Sequence, residues 1–325
     1  MSKSLDPWLS LLEETDLETR LAAIRALGEL GPDAEAAVPT LAELLRDGRP
    51  EVWTAVTAAL GSIGSAAVPI LVGLLRDREA NVRDAARYSL IAMRLDADSA
   101  LPLLTALFRD KEKESRIAAA YVLEAMGPDA GPAIPALAQL LADPEADVRL
   151  AAAETLENMG VEDPAVVPVL IELLGHEERS NGFHAADLLG QMGPRAEAAI
   201  PALIELLRGK EGYARDSAIE ALWAMGPSAR AAIPGLLELL KGDPRTEVVR
   251  TLGMIGPAAI PPLTDLLKHD KWEMRKAAIY TLGKMGKDAR DAVWEIAELS
   301  QDAGWQVRHA VAEALGNIGP EAKAA

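Results

Sequence analysis

Apolar residues recur along this chain at spacings of three and four, and strict alternation is absent, so the pattern predicts helices and no strands. Two kinds of apolar segment take turns. One opens on proline, as in PTLAELLRD at 39–47, and the other ends on glycine, as in DVRLAAAETLENMG at 147–160. Proline suits the first turn of a helix, where its missing N–H has no partner to lose. Glycine is a usual helix stop. A short Asp/Gly turn joins the two, so the unit reads as helix, turn, helix.

The unit repeats through the chain. Ala-Val-Pro or a close variant ends at Pro39, Pro69, Pro102, Pro135, Pro168, Pro201, Pro234 and Pro261, at intervals of 30, 33, 33, 33, 33, 33 and 27. A second series tracks the first: Leu27, Leu60, Leu90, Leu123, Leu156, Leu189, Leu222, Leu252, Leu282 and Leu315. Ten units result, at 7–31, 32–64, 65–94, 95–127, 128–160, 161–193, 194–226, 227–256, 257–286 and 287–319, with a tail at 320–325. The opening PWLSLLEE, with Trp8, reads as an N-terminal cap. The final GPEAKAA matches GPDAEAA at 31–37, which suits a fragment of a longer array or an array with a frayed end.

Proline at the first helix, Asp at the turn, Val-Arg opening the second helix and an Ala-Leu-Gly-x-Ile/Met-Gly ending resemble a HEAT repeat, in particular the short HEAT-like repeats of phycobilisome lyases. The resemblance runs over residues 7–319. It implies an all-α fold, an α-α superhelix (HEAT-like solenoid) whose second helices line a concave side, and it says little about function.

Composition narrows the function. With 33 Lys and Arg against 50 Asp and Glu, the net charge of −17 repels phosphate backbones, so neither nucleic acid nor an anionic membrane is an expected partner. There is no cysteine, hence no disulfide or thiolate metal site. MSKSLDPWLS lacks the apolar core of a signal peptide, and no apolar run approaches the ~18 residues of a membrane span. The default expectation is a cytoplasmic chain.

Chemistry-bearing signals are few. Arg20, Arg83, Arg116, Arg149, Arg215, Arg245, Arg275 and Arg308 each stand seven residues before an anchor leucine, with Trp53 and Gly182 in the two vacant places. Turn acids Asp47, Asp77, Asp110, Asp143, Asp270 and Asp302 precede many of them, which favours a structural ladder over an anion-binding stripe. Metal-dependent HEAT enzymes repeat a His-Glu pair several times. Here it occurs once, at His176-Glu177, and His184 with Asp187 is a weak set, so no metal or cofactor is expected and no catalysis.

Alignment of the second helices on their leucines puts positions minus 6, minus 2 and plus 1 on one face. From the third to the seventh unit the residues there include Tyr88, Ile91, Tyr121, Glu124, Glu154, Glu157, Phe183, Asp187, Glu220 and Trp223. In the outer units the face is blander, with Gly28, Gly61, Gly253, Gly283 and Gly316 at plus 1, where recurrent glycine suggests tight packing. Rings as anchors beside carboxylates describe a groove for a basic peptide or protein segment, and therefore a protein-binding scaffold. Filling of space between neighbouring helices explains the same residues. An accessory enzyme subunit, lyase-like or metal-dependent, is one alternative. An engineered consensus-like array is another, although Asn181-Gly182 and the intervals of 30 and 27 fit it poorly. The sixth unit, with Gly182 inside its helix and Gly175-His176 in place of a turn Asp, is expected to be the weakest joint.

Overall fold

The computed structural model of the chain describes residues 5–93, 95–176, 178–209, 212–242 and 245–319. Every regular element among them is helical, and none is a strand. The repeats pack as two compact units, Met1–Asp163 and Pro164–Ala325, where the sequence reads as one array. The first unit pairs α1 (Asp6–Leu12) with α2 (Leu17–Leu30), α3 (Val38–Glu43) with α4 (Pro50–Ile63) and α5 (Val68–Leu74) with α6 (Ala80–Ala92). It continues with α7 (Ala97–Leu107) and α8 (Lys113–Met126), then α9 (Ile134–Gln139) and α10 (Ala146–Asn158). The second pairs α11 (Val166–Leu174) with α12 (Arg179–Met192), α13 (Ile200–Arg208) with α14 (Gly212–Met225) and α15 (Ile233–Gly242) with α16 (Thr246–Ile255). It ends with α17 (Ile260–Asp265) and α18 (Trp272–Met285), then α19 (Val293–Glu298) and α20 (Trp305–Ile318).

Within each unit a second helix packs on its own first helix and on the next second helix, as α2 does on α4 and α18 on α20. The anchor leucines sit at that junction. Leu27, Leu60, Leu90, Leu123, Leu156, Leu189, Leu222, Leu252 and Leu282 are all 0% exposed. Leu315, in the last pair, is only partly covered. Burial of each contributes roughly 1.5–3 kcal/mol. Alanines such as Ala23, Ala86 and Ala119 are equally buried and let the helices close on one another. Nine of the ten second helices end on a glycine at positive φ, from Gly31 (57°) to Gly319 (89°), and α6 ends on Met93 instead. The expected proline starts hold for α3, α5, α9, α13 and α17. Pro102 instead falls inside α7, because Asp96 caps the Ser99 N–H at 3.0 Å and starts that helix a turn earlier.

The arginine ladder ties the pairs together. Seven of the eight ladder arginines reach back to the carbonyl six residues before them: Arg20 to Glu14, Arg83 to Asp77, Arg116 to Asp110, Arg149 to Asp143, Arg215 to Gly209, Arg275 to His269 and Arg308 to Asp302. These carbonyls end the first helix or its turn and have no helical N–H to accept from. Arg20, Arg116 and Arg275 also pair with the turn carboxylate of the next unit, Asp47, Asp143 and Asp302, at 2.8–2.9 Å. Each carboxylate in turn accepts the backbone N–H two residues on, as Asp77 does from Glu79 at 3.0 Å. The ladder is thus occupied by the fold and offers no anion stripe. Arg245 differs, pairing with Asp216 at 2.7 Å.

The sequence assignment of Asp270 as a turn acid is corrected. His269 stands in that place, its Nδ1 accepting the Lys271 N–H at 3.1 Å, while Asp270 supplies a carbonyl to Arg275. His176 acts alike, accepting from the Glu178 N–H at 3.3 Å. Pair six, expected to be weak, is matched by partners in pair seven. Tyr213 Oη donates to the Gly175 carbonyl at 3.1 Å, near the place the absent ladder arginine would serve. A Cβ on Gly182 would lie 3.0 Å from Ser217 Oγ, and one on Gly190 would overlap the Ala224 side chain. These glycines let α12 lie directly against α14.

Candidate binding face

In the first unit the second helices carry a continuous strip of side chains. Trp53 on α4 meets Tyr88 on α6 edge to face, with ring centroids 5.8 Å apart. The Arg87 guanidinium lies 4.5 Å from the Tyr88 ring centre and 6.0 Å from that of Tyr121 on α8. Tyr121 Oη donates to Glu154 Oε2 on α10 at 3.0 Å. Glu124 accepts from Asn158 Nδ2 at 3.0 Å and from Thr155 Oγ1 at 3.4 Å, again across to α10. Tyr88 is 48% exposed and Ile91 37%, whereas Tyr121, Glu124, Glu154 and Glu157 are half-buried.

Electrostatics mark the same spot. Burial pushes the Glu124 carboxyl above the usual carboxylate range, and the neighbouring Glu154 charge adds to this against the hydrogen bond from Asn158. The Tyr121 hydroxyl is raised well above an ordinary tyrosine, first by burial and then by Glu154. Two carboxylates and a phenol thus share a half-buried site, with the Arg87 guanidinium at its edge.

In the second unit Phe183 on α12 is 45% exposed and Trp223 on α14 is 42% exposed. Asp187 and Glu220 are exposed beside them, Asp187 accepting from Gln191 Nε2 at 2.8 Å. Among the described residues neither ring stacks on another aromatic. Thus Tyr88, Tyr121, Glu124 and Glu154 are brought into contact through Arg87 and α10. Phe183 and Asp187 on α12, and Glu220 and Trp223 on α14, are exposed, and no hydrogen bond joins them among the described residues.

The plus 1 position faces the next second helix. A Cβ on Gly28 would lie 3.1 Å from Ala59 Cα, and one on Gly283 2.8 Å from Ala314 Cα. At Gly61 the nearest atom is 3.8 Å away, and at Gly316 none lies within 4 Å, so tight packing is not general. Glu124 fills the same position with a polar bridge, half inside the α8–α10 junction rather than free on the surface.

The outer units are not bland throughout. Alignment at minus 2 also finds Tyr280 on α18, 42% exposed, and Trp272 on the same helix is 36% exposed. The signal was present in the sequence and was obscured by Gly283 at plus 1. Arg87 was missed because it stands at minus 3, off the chosen face, and Trp53 because it occupies a ladder place. A hollow of about 310 Å³ lies between α16 and α18, and one of about 730 Å³ between α2 and α4 is lined by Arg25, Glu29 and Glu51. Among the described residues no three of His, Asp and Glu converge as metal ligands. Glu177 and the tail 320–325 lie outside the described residues. No single described helix is long and apolar enough to cross a membrane.

Stacked antiparallel helix pairs, tied by a repeated arginine–carbonyl ladder and carrying side chains on their second helices, define an all-α solenoid. A family model of HEAT repeats matches residues 5–91, 90–157, 134–223 and 233–316, and the chain belongs to the HEAT-repeat family. No curated protein matches it in sequence. Its fold is similar to a crystal structure of importin beta, at 15% identity and TM-score 0.59, covering 97% of this chain and 50% of that one. Kap95p bound to RanGDP is similar at 17% identity and TM-score 0.62, with the same coverage. The chain therefore spans about half the length of these proteins. The complex of CpcE and CpcF of phycocyanin lyase from Nostoc sp. PCC7120 matches at 24% identity over 78% of this chain and 94% of that one, with a TM-score of 0.33.

Proposed function

We propose that the chain is a non-catalytic protein-binding scaffold that holds a basic segment of a partner protein on its second-helix face. The observation that carries this is the strip Tyr88–Arg87–Tyr121–Glu154 with Glu124 alongside. Exposed rings supply anchors at low entropic cost. Glu124 and Glu154, half-buried at the same junction, offer carboxylates to an arriving lysine or arginine, which selects charge. Solved complexes of Kap95p with RanGDP and with Nup1 are protein–protein complexes on a similar fold, which fits a scaffold role here.

The test is a titration of the full chain with fluorescent Lys/Arg-rich and Glu-rich peptides. The basic peptide binds, and Tyr121→Ala or Tyr88→Ala weakens it by roughly tenfold. Glu154→Lys combined with Glu157→Lys reduces binding chiefly at low salt, where screening is weakest. Unchanged affinity in all these variants, with helical circular dichroism retained, sinks the reading.

A further inference from the structure

We propose a second site of opposite preference, the hollow between α16 and α18, which takes an acidic segment of a partner protein carrying a large apolar side chain. Its walls hold Thr246 and Arg250 from α16 and Trp272, Glu273, Lys276 and Tyr280 from α18. Along α18, Trp272, Lys276, Tyr280 and Lys284 follow one another at intervals of four, so ring and cation alternate on one helix face. Lys284 Nζ sits 5.2 Å from the Tyr280 ring centre, which fixes that ring's face.

The cations here are uncommitted. Arginines of the ladder are engaged by turn carbonyls and carboxylates, but Arg250 and Lys276 are both exposed and make no ion pair among the described residues. Other exposed cations, Arg25 and Lys268 among them, also lack an ion pair among the described residues; what sets Arg250 and Lys276 apart is that they line one hollow together with the rings of Trp272 and Tyr280. Glu273 is the one carboxylate on the wall.

Size and charge choose the occupant. About 310 Å³ admits one or two side chains and no folded domain. Arg250 and Lys276 match carboxylates on either side of an apolar residue, which the rings of Trp272 and Tyr280 would cover. A nucleic acid brings a continuous line of charge that the surrounding acidic chain repels. A short acidic peptide brings only a few charges.

The probe is a fluorescein-labelled dodecapeptide of glutamates with two central leucines, titrated into the full chain by anisotropy. Comparators are its lysine counterpart, an all-glutamate peptide and single-stranded DNA. The Glu/Leu peptide binds saturably and more tightly than the others do at this hollow. Lys276→Glu with Arg250→Glu weakens it by roughly tenfold or more, Trp272→Ala does so comparably, and Lys276→Arg with Arg250→Lys retains it. Glu154→Lys with Glu157→Lys leaves it unchanged, so failure here is separate from failure of the basic-segment reading. Absence of saturable binding, or indifference to the Arg250 and Lys276 reversals, overturns the proposal. So does tighter binding of DNA, or a concentration-dependent self-association abolished by Lys276→Glu, which would make a second copy the occupant.

Discussion

The junctions α8–α10 and α18–α20 use the same place in the repeat in opposite ways. At the first, Glu124 stands at plus 1 and bridges to Asn158 and Thr155, with Tyr121 bridging to Glu154 beside it. At the second, Gly283 stands there, and the two helices approach until a Cβ would meet the Ala314 backbone at 2.8 Å. One residue per repeat therefore decides whether neighbouring second helices touch through backbone or through polar side chains. The charge alongside also differs, with carboxylates at the first junction, whereas α18 carries Lys276 and Lys284, Lys276 on the side that lines the α16–α18 hollow with Arg250. A uniform repeat can thus carry two chemically distinct faces.

The largest expected effect tests what both junctions share. Arg116 is 6% exposed, donates to the Asp110 carbonyl and pairs with Asp143, whose own side chain is 8% exposed. Arg116→Ala leaves that carboxylate buried without its cation, holding only the Glu145 N–H, a loss of about 3 kcal/mol in urea unfolding. Arg308 is exposed and bonds turn carbonyls alone, so Arg308→Ala loses about 1 kcal/mol or less. Equal losses would show that the carboxylate rung adds nothing.

Next comes the glycine contrast. Gly283→Ala forces Ala314 aside and lowers stability by about 1–3 kcal/mol despite the better helix former. Gly316→Ala meets open space and raises stability by up to about 1 kcal/mol. A gain in both variants would refute close approach at α18–α20.

Pair six supplies a smaller effect. Tyr213→Phe removes one hydrogen bond to the Gly175 carbonyl, worth about 1 kcal/mol. Amide exchange over 175–187 then quickens, while that over 143–157 stays as it was. Unaltered exchange over 175–187 would mean that Gly182 and Gly190 packing alone holds the pair.

The smallest effect is a difference of sign with pH. Hydrogen bonds from Arg49, aided by Arg20, hold the Asp47 carboxyl at about 2, and Arg46 and Arg275 likewise lower Asp77 and Asp302. Their contribution is complete above the ordinary carboxylate range and fades as pH falls toward 2. Glu124 is shifted upward by burial, so its contribution is present at acid pH and lost as pH rises through its folded value. Glu124→Gln is therefore expected to stabilise slightly at pH 7, by under about 1 kcal/mol, with no gain in acid. Asp47→Asn destabilises at pH 7 and is silent near pH 2. Melting curves at the two pH values check both signs.

Much of the architecture was legible because it follows from local periodicity. Spacings of three and four, the Pro–Gly punctuation and the ten anchor leucines specify paired helices, and each leucine needs only its own pair and the next to be buried. The arginine ladder was legible for the same reason, since its carbonyl partner lies six residues back. His269 in the place assigned to Asp270 was not, because imidazole Nδ1 and a carboxylate accept the same N–H and only geometry distinguishes the register.

What the candidate faces contain was legible in part. Alignment on the leucines put Tyr88, Tyr121, Phe183 and Trp223 on one side of their helices, a matter of helical angle. Whether a plus 1 residue reaches solvent or fills a junction depends on how near the next helix comes, and that distance is set by side chains about thirty residues away, such as Ala59, Thr155 and Ala314. The same holds for the hollow at Trp272 and Tyr280, which exists only where α16 and α18 stand side by side. Local pattern determined the helices, their order and the faces they present. Tertiary packing decided the gaps between them, because a gap belongs to two helices at once and is written in neither.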